Sequence, residues 1–218
     1  MEIAQNISVI TACLAIILGV DAWKREYVGK RKIELAEDVL TLFYQARDAV
    51  GRIRSPFGRH GEGETRKTGE YENPADKQLL DRAYVVVERF EKERETFNKL
   101  EVLRYRFMAR FGAESKKPFD ALRSIITDIF VSANMLGTHY WQRQGRVRMT
   151  EDEFQKHLKE MNEHEAIFWE GRAENDPVKK RFDETIKGIE KICRPIIQDQ
   201  SGVGSLLITP LGKFFRNK

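Results

Sequence analysis

A chain of 218 residues, 33% of them charged and 41% apolar, has room for one domain with appendages. Its formal net charge of +4 is too small to imply nucleic-acid binding by itself. The two cysteines, Cys13 and Cys193, exclude a disulfide framework and a cysteine-rich zinc site.

The first element is apolar. Ile7 to Val20 runs for about fourteen residues without a charge, and adding Ile3 to Asn6 gives about eighteen, roughly 27 Å of helix. Trp23 and Tyr27 fall where an interfacial aromatic belt would sit, and a basic collar of Lys24, Arg25, Lys30, Arg31 and Lys32 follows. Glu2 has the wrong sign for the basic start of a signal peptide. The pattern predicts a single-pass transmembrane anchor over 1–23, with the collar facing anionic lipid. The positive-inside rule then places the N-terminus outside a plasma (inner) membrane and the remainder in the cytoplasm.

Residues 24–54 read as a juxtamembrane helix that joins a bundle. Ala36, Val39, Phe43, Ala46, Val50 and Ile53 recur at spacings of three and four, with Leu35, Leu42 and Ala49 beside them. That apolar face is wider than a two-stranded coiled-coil seam. Residues 55–73, rich in glycine and arginine, break the period and read as a flexible loop. Asn73 and Pro74 then supply an N-cap and a first helical residue. Leu79, Ala83, Val86, Phe90, Phe97, Leu100, Phe107 and Phe111 mark one face of the next helix, which Gly112 ends. The stripe skips a turn at the all-polar stretch Glu91–Glu95.

Pro118 opens a third helix carrying Phe119, Leu122, Ile126, Ile129, Ala133, Leu136 and Tyr140. Thr150 and Glu153 form a capping box for a fourth, and Asp176-Pro177 starts a fifth, with Pro195 disturbing its last turn. The bundle spans 74–200, and 201–218 reads as a flexible, apolar-basic tail. The fold class expected is all-α: a single N-terminal transmembrane helix continuing into a cytoplasmic bundle of four to five long helices.

Candidate chemistry is sparse. Glu153, His157, Glu160 and His164 line one helix stripe at spacings of four, three and four, which makes them weak candidates for a metal. They match neither HExxH nor the Glu-x-x-His pattern of di-iron bundles. In the loop, Arg59, Arg66 and Lys67 are weak candidates for holding an anion, but GxxxxGK[ST] is missing. His139, Tyr140 and Trp141, with Phe168 and Trp169, form an aromatic set at two helix ends, either core or a docking patch.

Arg54 and His60 have five residues between them, a spacing similar to the Arg-x4–6-His pair of HEPN-type ribonucleases, which are also helical. In that family the pair lies at a helix boundary and acts between protomers. Here it lies in a loop holding glycine and proline, and the resemblance covers these two residues alone.

No catalytic residue and no cofactor is expected. The function read from the sequence is a membrane-anchored, cytoplasmic helical interaction module: an oligomeric scaffold, adaptor or sensor. Its expected partners are anionic lipid, further copies of the chain and an unidentified protein, with no nucleic acid. One alternative is an oligomeric membrane effector or pore, prompted by Gln5, Asn6, Ser8 and Thr11 within the apolar run. A second is a membrane-tethered enzyme acting on nucleotide or RNA through the 54–67 segment.

Overall fold

Every regular element among the described residues is helical. The structure is a computed structural model that describes the backbone of residues 2–198 and the side chains of 15–198. Five long helices follow one another: α1 (Glu2–Ile53), α2 (Pro74–Phe111), α3 (Lys117–Met135), α4 (Glu151–Phe168) and α5 (Pro177–Gln198). A 3₁₀ turn (Ala113–Lys116) leads into α3. A π turn (Leu136–Tyr140) and a short helical turn (Trp141–Arg143) prolong it. The all-α expectation agrees with this architecture. The expected tail, 201–218, lies outside the described residues, as do the side chains of Gln5, Asn6, Ser8 and Thr11.

The chain divides into two compact units, residues 1–39 with 191–218 and residues 40–190. In the first, Trp23 stacks on Tyr27 with ring centroids 5.8 Å apart, and the Arg31 guanidinium donates to the Tyr27 hydroxyl. Lys24, Arg25, Lys30 and Lys32 are exposed along α1. Leu35, Ala36, Val39 and Cys193 are buried, and burial pushes the Cys193 thiol up to about 12. That thiol is inert as a nucleophile near neutral pH.

The transmembrane expectation is corrected in this unit. Among the described residues no helix is long and apolar enough to cross a membrane. The described apolar run, Ala15–Val20, ends at Asp21; it reaches roughly 9 Å against a hydrocarbon core of about 30 Å. The single-pass anchor over 1–23 is therefore not retained. Nor is the membrane address deduced from it, with an outside N-terminus and a cytoplasmic bundle.

The second unit is built by residues 40–53 of α1, by α2 to α4, and by the first part of α5. Its helices begin where the sequence provides caps. Asn73 accepts the Ala75 N–H at 3.0 Å, Thr150 and Glu153 complete their reciprocal box, and Asp176 accepts the N–H groups of Val178 and Lys179. These bonds satisfy amides that a helix start leaves without partners. The apolar stripes meet in a phenylalanine-rich core. Phe119 of α3 lies edge-on to Phe43 of α1, ring centroids 5.0 Å apart, and 5.6 Å from Phe107 of α2. The skipped turn of α2 is bridged from within: Phe90 and Phe97 stack at 5.0 Å, and Phe90 meets Phe130 edge-on. Polar Glu93 there receives a two-bond clasp from Arg52 of α1.

Two glycines mark close approaches. A Cβ on Gly137, in the π turn, would stand 2.6 Å from the Ala83 Cβ of α2. Gly63 has φ of +92°, and a Cβ there would stand 2.0 Å from the Asp81 carbonyl oxygen. Both the left-handed backbone and the missing side chain are needed to seat the loop on α2. Gly63→Ala should therefore cost about 1–3 kcal/mol of stability in urea denaturation and speed tryptic cleavage in the 59–67 segment. Wild-type stability and an unchanged cleavage rate would show that the loop does not seat there.

Candidate functional site

Three arginines define the region around the loop. Arg54, the residue after α1, is only 2% exposed. Its guanidinium donates to the carbonyl oxygens of Ile167 (2.7 Å), Ala166 (2.9 Å) and Trp169 (3.1 Å) at the end of α4. It also donates to Asp176 Oδ1 at 3.0 Å, and the Arg54 carbonyl accepts the Glu170 N–H at 2.8 Å. A cation placed on the unpaired carbonyls of a helix C-terminus satisfies them and opposes the helix dipole. Asp176 is at the same time the N-cap of α5, so one ion pair joins the ends of three helices. Burial disfavours the Asp176 carboxylate, yet the Lys179 N–H and the Arg54 guanidinium outweigh it and hold its pKa below the usual aspartate value.

Arg89, in the middle of α2, repeats the arrangement for the loop. It donates to the carbonyls of Ile53 (3.3 Å), Ser55 (2.6 Å) and Phe57 (2.9 Å), and pairs with Glu62 at 2.6 Å. Arg66 pairs with Glu72 and with Asp81, the latter at 2.9 Å, and Thr65 donates to Glu88 of α2. The segment read from sequence as a flexible loop thus carries tethers near both ends and in the middle.

Three clefts open around these walls, and Pro56 lines all of them. The first, about 630 Å³, lies between residues 47–57 and the start of α5, beside Glu170, with Phe57 among its lining residues. The second, about 710 Å³, runs along α2 past Arg59, Leu79, Arg82 and Val85 to Trp169. The third, about 390 Å³, continues beside Arg82, Trp169 and Arg172. Clefts of this size accommodate small molecules or peptide side chains.

The sequence-derived candidates separate on this map. Of the anion set, Arg66 is engaged by two carboxylates, Lys67 is exposed away from the cleft linings, and Arg59 alone lines the second cleft. Arg54 is buried and its bonds go to the α4 carbonyls and Asp176, while His60 is exposed, so the two are not brought together as a catalytic pair. Of the aromatic set, Tyr140, Trp141 and Phe168 are buried, whereas Trp169 is half-buried and walls two clefts. Sequence reasoning missed Arg82 and Arg89. Arg89 sits among the apolar positions of α2, between Val86 and Phe90, and that misplacement was its signal.

The Glu153, His157, Glu160 and His164 stripe is dispersed by function. Glu153 serves the capping box. Tyr140, in the π turn, packs between the imidazoles of His157 (5.5 Å) and His164 (5.1 Å), and its hydroxyl meets Glu160 at 3.3 Å. His139 adds a third ring at 5.0 Å. Among the described residues no group of three or more His, Cys, Asp or Glu could hold a metal ion. The buried His157 Nε2 has no hydrogen-bond partner.

Comparisons with family models, curated proteins and solved structures returned no match.

Two predictions follow from these polar groups. Replacing Arg54 with Met leaves Asp176 and three carbonyls buried without their cation. It should cost about 3–5 kcal/mol in urea denaturation, and a loss below about 1 kcal/mol would contradict the three-helix tie. Burial lowers the His157 and His164 pKa values in the fold, with Arg143 and His139 adding to the effect at His157. The unfolded chain therefore binds more protons than the folded one once the pH drops below the ordinary histidine value. The melting temperature should hold between pH 8 and 7, then fall between about pH 6.5 and 5, above the range where the carboxylates titrate. His157→Gln should flatten that slope. A melting temperature independent of pH over this range would contradict the buried-imidazole account.

Proposed function

We propose that this chain is a helical protein-interaction module, a scaffold or adaptor that receives a partner on the surface around the 55–73 loop. The observation that carries the reading is the division of labour within that loop. Its charged side chains Glu62, Arg66 and Glu72 bond within the protein, while Phe57 (86% exposed) faces solvent beside the first cleft and Tyr71 (94% exposed) faces solvent elsewhere on the loop. Aromatic side chains on a tethered support lose little conformational entropy on binding and commonly anchor protein interfaces. The burial of Arg54 and its engagement by the end of α4 and by Asp176 favour this reading over a nuclease built on Arg54 and His60.

The test is site-specific photocrosslinking in the producing cell. A photoreactive phenylalanine at 57 or 71 should give a discrete protein adduct, and one at the exposed Val102 of α2 should not. Phe57→Asp should abolish the adduct formed through 71 without lowering the melting temperature. Equal labelling at 57, 71 and 102, or no adduct at any of them, would contradict the proposal.

A further inference from the structure

The geometry points to Arg82 as the receptor for a carboxylate on an extended acidic peptide, laid along the clefts that meet at Pro56. This inference rests on the interaction-module reading and deepens it by naming the ligand chemistry.

Arg82 differs from the arginines around it. Its Cζ sits 4.5 Å from the ring centroid of Trp141 and 5.9 Å from that of Trp169. Among the described residues its guanidinium makes no ion pair and no hydrogen bond, whereas Arg54, Arg66, Arg89 and Arg172 are all bound to carboxylates. Aromatic faces fix the plane of a guanidinium while leaving its edge of N–H donors open. A carboxylate or phosphate oxyanion fits such an edge with two parallel bonds.

The support beneath it is built. Trp141 is buried and donates its indole N–H to Glu165 at 3.0 Å, and Arg172 pairs with the other oxygen of Glu165. Trp141 also meets Phe168 edge-on at 5.6 Å. Trp169, next to the Arg54-capped end of α4, completes the cradle. The aromatic surface under Arg82 is thus held by hydrogen bonds and packing within the bundle.

Charge and shape select the occupant. In the second cleft, Glu62 is bound to Arg89, and Asp81 to Arg66 and Lys77. The side chains of Arg59, Arg82 and Glu64 have no such partner among the described residues, which leaves a local excess of one positive charge. Three open clefts in a row around Pro56 suit an extended chain better than an enclosed small molecule, with apolar side chains beside Pro56, Phe57 and Trp169 and a carboxylate on Arg82.

The experiment pans an unbiased library of dodecapeptides against the full chain. The enriched peptides are then titrated, as synthetic peptides, into wild type, Arg82→Gln and Arg82→Lys, with melting temperatures confirming each fold. Enriched sequences should carry Asp or Glu, lose about tenfold or more in affinity for Arg82→Gln, and recover part of it with Arg82→Lys. Peptides without acidic bias, or unaffected by Arg82→Gln, would overturn the Arg82 site and leave the interaction-module reading standing. No enriched peptide at all would overturn both. If, in that case, inorganic phosphate quenches the tryptophan fluorescence of wild type but not of Arg82→Gln, the site takes a small phosphate ligand in place of a peptide.

Discussion

Arg54 is a full positive charge almost completely removed from water, and the second unit is organised around solving that problem. A buried guanidinium needs acceptors for its N–H groups and an opposite charge close by. The acceptors are the carbonyl oxygens that the last turn of α4 leaves unpaired, and the charge is the carboxylate that caps α5. Each partner in turn needs the cation, because bare carbonyls and a buried aspartate would be costly alone. Helix ends distant in sequence are fixed to one another by the requirement that every polar group be paired.

The same logic extends outward. Arg89 gathers the carbonyls of Ile53, Ser55 and Phe57, so the chain leaving α1 is directed along α2. Gly63 allows the loop backbone to approach α2 where no side chain would fit. With the internal charges satisfied, what remains at the surface is a tethered, partly aromatic edge next to open clefts. One arginine, Arg82, lies over tryptophan faces and makes no ion pair or hydrogen bond among the described residues. A surface tethered this way is preorganised, and preorganisation lowers the entropic cost of any binding it supports.

Much of this architecture is legible in the sequence because it rests on local rules. The three-four spacing of Phe119, Leu122, Ile126, Ile129, Ala133, Leu136 and Tyr140 announces a helix with one buried face, and all are buried except Ile126, which is half-buried next to the buried Ile125. Asn73-Pro74 and the Thr150–Glu153 box mark helix starts by local hydrogen bonding, and both work as read. The candidate site was less legible, since its parts are joined by long-range pairs. Nothing near Arg54 in sequence reveals that Asp176 awaits it 122 residues away. The tryptophans beneath Arg82 likewise come from segments that only the fold brings together. The four-residue stripe on α4 shows the opposite error: spacing placed its groups on one helix, but cap geometry and the packing of Tyr140 assigned them separate tasks. The apolar N-terminal run, with its aromatic and basic flank, invited a membrane reading that the described helices do not sustain.

The central claim is that buried arginines hold the α4–α5 turn and the loop as fixed walls of the clefts that meet at Pro56. Native-state hydrogen exchange tests it most directly, through the Glu170 amide that donates to the Arg54 carbonyl and the Thr65 amide that donates to Glu88. On this account the Glu170 amide exchanges only through global unfolding, and the Thr65 amide is protected well above the level of an open loop. Exchange of both amides at the rate of unstructured peptide, with the helices still protected, would show that the walls are not held and would contradict the account.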